Sequence, residues 1–287
     1  MSSANDHLSD SELQAMTRQL DEMHRDQGLP ALKAAVAEWV SSFREAGDGV
    51  GRRASSRRTF LLGAAGVGAS GALLAACGSS SKTTAPTTVA PSSSTSSGNA
   101  AGGSASLTGD LAVAATAASL ENLGVYAYKA GITAATAGKL GTVPPAVVTF
   151  AQTAMAQHVD HAKAWNSALT AAGKPAVTAT DPALTPTVNA AFAKVTNVSE
   201  LAQLALLVEN IAAQTYQAAI PALSATSSIG VAATIQPVEM QHAAILYYVL
   251  GQYPGIQGTQ SNMYASGSPL AFNPTALARP ASDYKGS

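Results

Sequence analysis

Three glutamates set inside apolar helical stretches constrain this chain more than any other feature. Glu121 follows Ala117-Ala118-Ser119-Leu120, Glu209 follows Leu204-Ala205-Leu206-Leu207-Val208, and Glu239 lies in Ile235-Gln236-Pro237-Val238 with His242 three residues on. A carboxylate carried into an apolar interior must find a partner or take up a proton, because desolvating its charge is costly. Cations are scarce: charged residues are 11% of the chain, and Lys129, Lys139, Lys163, Lys174 and Lys194 read as surface. A metal ion would neutralise several carboxylates at once, so the fold must bring these segments together around one point.

The segments themselves read as helices. Apolar periodicity predicts four of them: from about Gly109 to Gly138 with Thr108 as candidate N-cap, from Pro144-Pro145 to near Gly173, from the cap-like Asn197-Val198-Ser199-Glu200 to before Pro221, and from near Ser227-Ser228 to Gly251. A short helix around Val188 to Lys194 is expected in the longest connection, and Pro237 is expected to kink the last helix. No period-2 run bounded by hairpin turns competes with this reading. The expected fold is all-α, an antiparallel four-helix bundle over residues 106–251.

Residues i and i+3 share a helix face, so Glu239 and His242 can coordinate one ion together, as can His158 and His161. Glu200, nine residues before Glu209, faces the other way and suits a cap. An internal echo ties the helices in pairs. Glu121-Asn122-Leu123 with Tyr128, Ala130 and Ile132 matches Glu209-Asn210-Ile211 with Tyr216, Ala218 and Ile220, and His158-x-x-His161 matches Glu239-x-x-His242 more thinly. The candidate metal ligands are Glu121, His158, His161, Glu209, Glu239 and His242, around a pseudo-two-fold axis. Tyr128 and Tyr216, seven residues beyond their glutamates, return to the same faces roughly 10 Å along.

Upstream lies a different kind of segment. Ser56-Arg57-Arg58-Thr59-Phe60-Leu61-Leu62 resembles a twin-arginine export motif, and Leu74-Ala75-Ala76-Cys77-Gly78 resembles a lipobox whose cysteine carries lipid after cleavage. The Gly- and Ala-rich run between them has the length of a signal's apolar region and falls short of a membrane span, the alternative being an uncleaved weak span. Residues 51–77 are thus the expected signal, with export through the twin-arginine machinery and a lipid anchor at Cys77 on the outer face of the cytoplasmic membrane. Residues 78–105, nearly free of charge and of large apolar groups, read as a disordered linker. Residues 1–50 read as a charged helical hairpin turning at Gly28-Leu29-Pro30, with His7 and His24 solvated, and are removed with the signal or skipped by translation from Met16 or Met23. The tail, 252–287, is expected to pack loosely.

The stretch Val238-Glu239-Met240-Gln241-His242-Ala243-Ala244-Ile245-Leu246 and the ligand order around it resemble a ferritin-like domain protein, of the exported bacterial kind related to plant desiccation-associated proteins. The resemblance covers residues 106–251 and implies two iron or manganese ions held by the aligned residues. The chain departs from that pattern at His158, where the family carries a bridging glutamate; a single ion, or zinc, stays open. Redox chemistry with oxygen or peroxide is one expectation, and a non-catalytic envelope protein protecting against stress or drying is the other. Iron storage fits poorly with an anchor and a long linker. A net charge of -1 gives no footing for nucleic acid. One cysteine excludes a disulfide framework, and no phosphate-binding glycine loop is present. A homodimer is left open.

Overall fold

The computed structural model describes residues 9–47, 107–251 and 279. The signal with Arg57, Arg58 and Cys77, the linker and the tail other than Arg279 lie outside the described residues. Seven α-helices are present among them: α1 (Asp10–Met23), α2 (Leu29–Gly47), α3 (Gly109–Thr136), α4 (Pro145–Ala171), α5 (Thr185–Phe192), α6 (Val198–Ala219) and α7 (Thr226–Val249). There is no strand among the described residues.

The four long helices form as the periodicity predicts, each within a few residues of its expected ends. Proline opens α4, where a missing N–H costs nothing, and Asn197 caps α6 by accepting from the Glu200 N–H at 2.9 Å. Glu200 in turn accepts from the Thr196 N–H. Thr108 occupies the N-cap position of α3 but its side chain caps nothing. Asp110, one residue inside the helix, does the anchoring there: it accepts from the Ser224 and Ala225 N–H groups and the Ser228 hydroxyl, pinning the α6–α7 turn to the start of α3. Helix α7 runs on through Pro237.

Helices α3 and α4 pair, α6 and α7 pair, and the two pairs face each other. The 172–197 connection returns over α3, tied by Asn122, which donates to the Val177 and Ala179 carbonyls, and by Asp181, which accepts from the first N–H groups leading into α5. Two apolar clusters fill the bundle. One gathers Trp165, Leu169, Tyr216, Val231 and Ile235, and the other Phe150, Leu206, Ile245 and Leu246. Along every helix the polar ligand candidates fall between them.

The N-terminal segment corrects the sequence reading twice. Instead of turning back at Gly28-Leu29-Pro30, the chain continues from α1 into α2 through one π-helical turn, His24–Gly28, with the Leu29 N–H donating to the His24 carbonyl. The wider turn takes up one extra residue ahead of Pro30 and keeps Leu13, Leu20, Leu32 and Trp39 on one buried face. That face lies along α4 and α7, Leu13 and Leu20 joining the Phe150 cluster and Leu32 and Trp39 the Trp165 cluster. Burying both halves on one surface outweighs the breaking tendency of glycine and proline. For the same reason His24, expected in solvent among charges, is 6% exposed.

Candidate metal centre

All six sequence-predicted ligands meet in the middle of the bundle, each at most 1% exposed. They form two overlapping groups: Glu121, His158, His161 and Glu239, then His158, Glu209, Glu239 and His242, with candidate ligand atoms within 4.8 Å of one another in each. His158 and Glu239, the residues matched in the internal echo, belong to both. The His158 ring spans the two groups. Its Nδ1 lies 2.7 Å from Glu121 Oε2 and its Nε2 3.3 Å from Glu209 Oε1. His161 Nδ1 is 2.9 Å from Glu239 Oε1, and His242 Nδ1 is 3.3 Å from Glu209 Oε2.

The tyrosines cross the axis. Tyr128 of α3 donates to Glu209 of α6, and Tyr216 of α6 donates to Glu121 of α3. Trp165 Nε1 donates to the Tyr216 hydroxyl at 2.8 Å, and their rings stack. Seven-residue spacing placed each tyrosine on the face of its own glutamate; which glutamate it serves depends on the neighbouring helix. Gln157 holds His242 from outside, its carbonyl accepting from Nε2 at 2.8 Å, so that Nδ1 is the nitrogen turned to the carboxylates. Sequence reasoning missed Gln157, although a glutamine following the apolar Ala154-Met155-Ala156 and directly before His158 was a usable signal.

Burial works against every charge here, and the groups offset it for one another. Desolvation pushes the Glu121 carboxyl up, but His161 and His158 outweigh it and hold it below the usual carboxylate range. Glu209 is held down likewise, against its burial, by His242 and His158. Desolvation lowers the affinity of His158 and His161 for protons, yet Glu239 and Glu209 raise the first, and Glu121 with Glu239 raises the second to about 9. On protein groups alone the cluster is therefore a net of carboxylates and protonated rings.

That net is incomplete. Both oxygens of Glu239 and the Nδ1 of His161 are buried with no hydrogen-bond partner, the 2.9 Å approach between them having the wrong direction for one. Orphaned buried acceptors at the centre of a cluster carry a full desolvation penalty. Three carboxylates and three imidazoles converging on them make a donor set that suits iron, manganese or zinc. The residues fit a metal.

The model of the ferritin-like domain matches residues 109–252. The chain belongs to the ferritin-like domain family. Searches of curated proteins and of solved structures returned no match. The ferritin-like part begins and ends with the four-helix bundle, so α1 and α2 are additions packed onto it. No described helix is long and apolar enough to cross a membrane.

Proposed function

We propose that this chain is a ferritin-like metalloprotein that holds iron or manganese between α3, α4, α6 and α7. The orphaned carboxylate of Glu239, shared by both donor groups, carries this reading. Glu121 and His161 serve one position, Glu209 and His242 the other, and Glu239 lies between them. His158 takes the place of a second shared carboxylate and presents one nitrogen to each side. An ion bound there supplies one-electron redox chemistry toward oxygen or peroxide. The chain's own part is to fix ligand orientation through Gln157, Tyr128 and Tyr216, and to keep bulk water out by burial. The test is metal content of the purified chain beside a His161→Ala, Glu239→Ala double variant. About two equivalents of iron or manganese, lost in the variant, support a dinuclear centre. One equivalent supports a single ion, and none after reconstitution of a folded chain sinks the proposal.

A second reading has its own observation. His158, His161 and His242, protonated, balance the three carboxylates without any ion, as a structural or vestigial centre in a non-catalytic envelope protein would require. Oxidant-dependent turnover by the loaded chain separates the two readings.

The motifs at Arg57-Arg58 and Cys77 support export and a lipid anchor for this protein. Under that reading α1 and α2, which precede the signal, cover the bundle before export and leave it on cleavage ahead of Cys77. Replacing Arg57 and Arg58 by lysine should keep the chain in the cytoplasm, and Cys77→Ser should leave it without lipid. A chain whose location and mass ignore both substitutions overturns this part.

A further inference from the structure

His24 lies on the π-helical turn, where α1 meets α2, outside the region that the ferritin-like domain covers. It is 94% buried by its 6% exposure, and neither ring nitrogen has a hydrogen-bond partner. The nearest charged atom is Asp160 Oδ2, 3.8 Å from Nε2. The ring stands edge-on to His161, with centroids 5.3 Å apart and planes at 68°. An imidazole buried with both nitrogens idle is a cost that a plain packing role would not retain.

The bundle's own symmetry says what is missing beside it. Metal-ligating histidines are held by a partner on their outer nitrogen. His242 has one: Gln157, the residue just before His158 on α4. The equivalent residue for His161 is the one just before Glu239 on α7, and that is Val238, which is buried and has no polar atom on its side chain. His161 turns Nδ1 toward Glu121 and Glu239, which leaves Nε2 as the outer nitrogen. The helix that supplies a ring beside His161 is not part of the four-helix repeat at all.

We propose that His24 is the positioning residue for His161, accepting a hydrogen bond from its Nε2–H and passing its own N–H to Asp160. In the uncleaved chain the ligand cluster then includes the N-terminal helix, and the π-turn is what sets the ring at the level of the ligands. The small ring rotation this needs is local, since the rings are already in contact. This inference rests on the metal reading only for its second measurement below.

The first measurement is the nitrogen-15 histidine spectrum of the metal-free full chain, with His161 assigned through a His161→Gln variant. In His24→Leu the His161 Nε2 resonance should shift by several parts per million and its proton should exchange faster, while His24→Gln, which keeps an acceptor, should restore both. Leu32→Ala weakens the same helix away from the site and should lower stability without moving the resonance. A resonance unmoved by His24→Leu, unrestored by His24→Gln, or moved equally by Leu32→Ala would overturn the proposal. The second measurement is zinc affinity by chelator competition, expected to fall about 10- to 100-fold in His24→Leu and to recover in His24→Gln. Equal zinc affinity in the native chain and His24→Leu also overturns it. A native chain that binds no zinc sinks the metal reading instead, and the spectrum still decides the role of His24.

Discussion

Gly124 makes room for His158. A Cβ built on Gly124 would stand 2.9 Å from three atoms of the His158 ring, closer than packed carbons approach. The glycine is buried in the middle of α3, where it costs about 1 kcal/mol of helix propensity. In the echoed helix the same position is Ala212, and the residue matched to His158 is the slimmer Glu239. The imidazole and the glycine are one substitution in two parts. Gly124→Ala should therefore displace the ring and destabilise the fold by about 1–3 kcal/mol despite alanine's better propensity. Urea unfolding of the metal-free chain would show it, and a stabilised variant would mean the ring has another place to go.

His158→Glu restores a second shared carboxylate. Without metal it adds a fourth buried carboxylate and removes a proton carrier, so unfolding free energy should fall by about 3–5 kcal/mol. Manganese or iron should bind the variant more tightly than the native chain, because the site would gain a charged ligand. Thermal unfolding with metal and with chelator reads both halves. An unchanged metal-free midpoint would contradict the view of His158 as the centre's counter-charge.

The two crossing tyrosines should be unequal. Tyr128→Phe removes one hydrogen bond to a charged acceptor, worth about 1.5–3 kcal/mol. Tyr216→Phe removes the matching bond to Glu121 and also leaves Trp165 Nε1 unpaired, so its cost should be larger. Denaturant unfolding of both variants ranks them, and equal or reversed losses would show that the Trp165 contact contributes nothing.

Stability of the metal-free chain should have an optimum on the acid side of neutral. Glu121, held at about 2 against an ordinary 4.5, contributes stability that is complete above pH 4.5 and is lost as pH falls toward 2. His161, held at about 9 against an ordinary 6.5, contributes stability complete below pH 6.5 and lost as pH rises to 9. The plateau thus lies between about pH 4.5 and 6.5. A bound ion displaces the ring protons, so with metal present stability should keep rising from pH 6.5 to 9. Melting temperatures across pH, with metal and with chelator, test this; parallel profiles would mean that no ion competes with those protons.

The sequence alone determined the four bundle helices and the six residues that converge. Both are written in local patterns: apolar residues at helical spacing, and carboxylates and histidines placed where a helix alone could not tolerate them. Helix ends at Pro145, Asn197 and Gly251 were legible for the same reason, since turn and cap chemistry is short-range. What the tertiary structure decided was every relation between elements. Which glutamate each tyrosine meets, the use of Gln157 behind His242, and the fit of Gly124 to His158 depend on helices brought together from 30 or more residues apart. The N-terminal segment shows the reason most plainly. Gly28 and Pro30 are local signals for a break, and His24 among charges is a local signal for solvent. Both were overruled by apolar surface on α4 and α7 that no window of the sequence around His24 contains, and burial on that surface is what turned a solvated histidine into a neighbour of the buried ligand cluster.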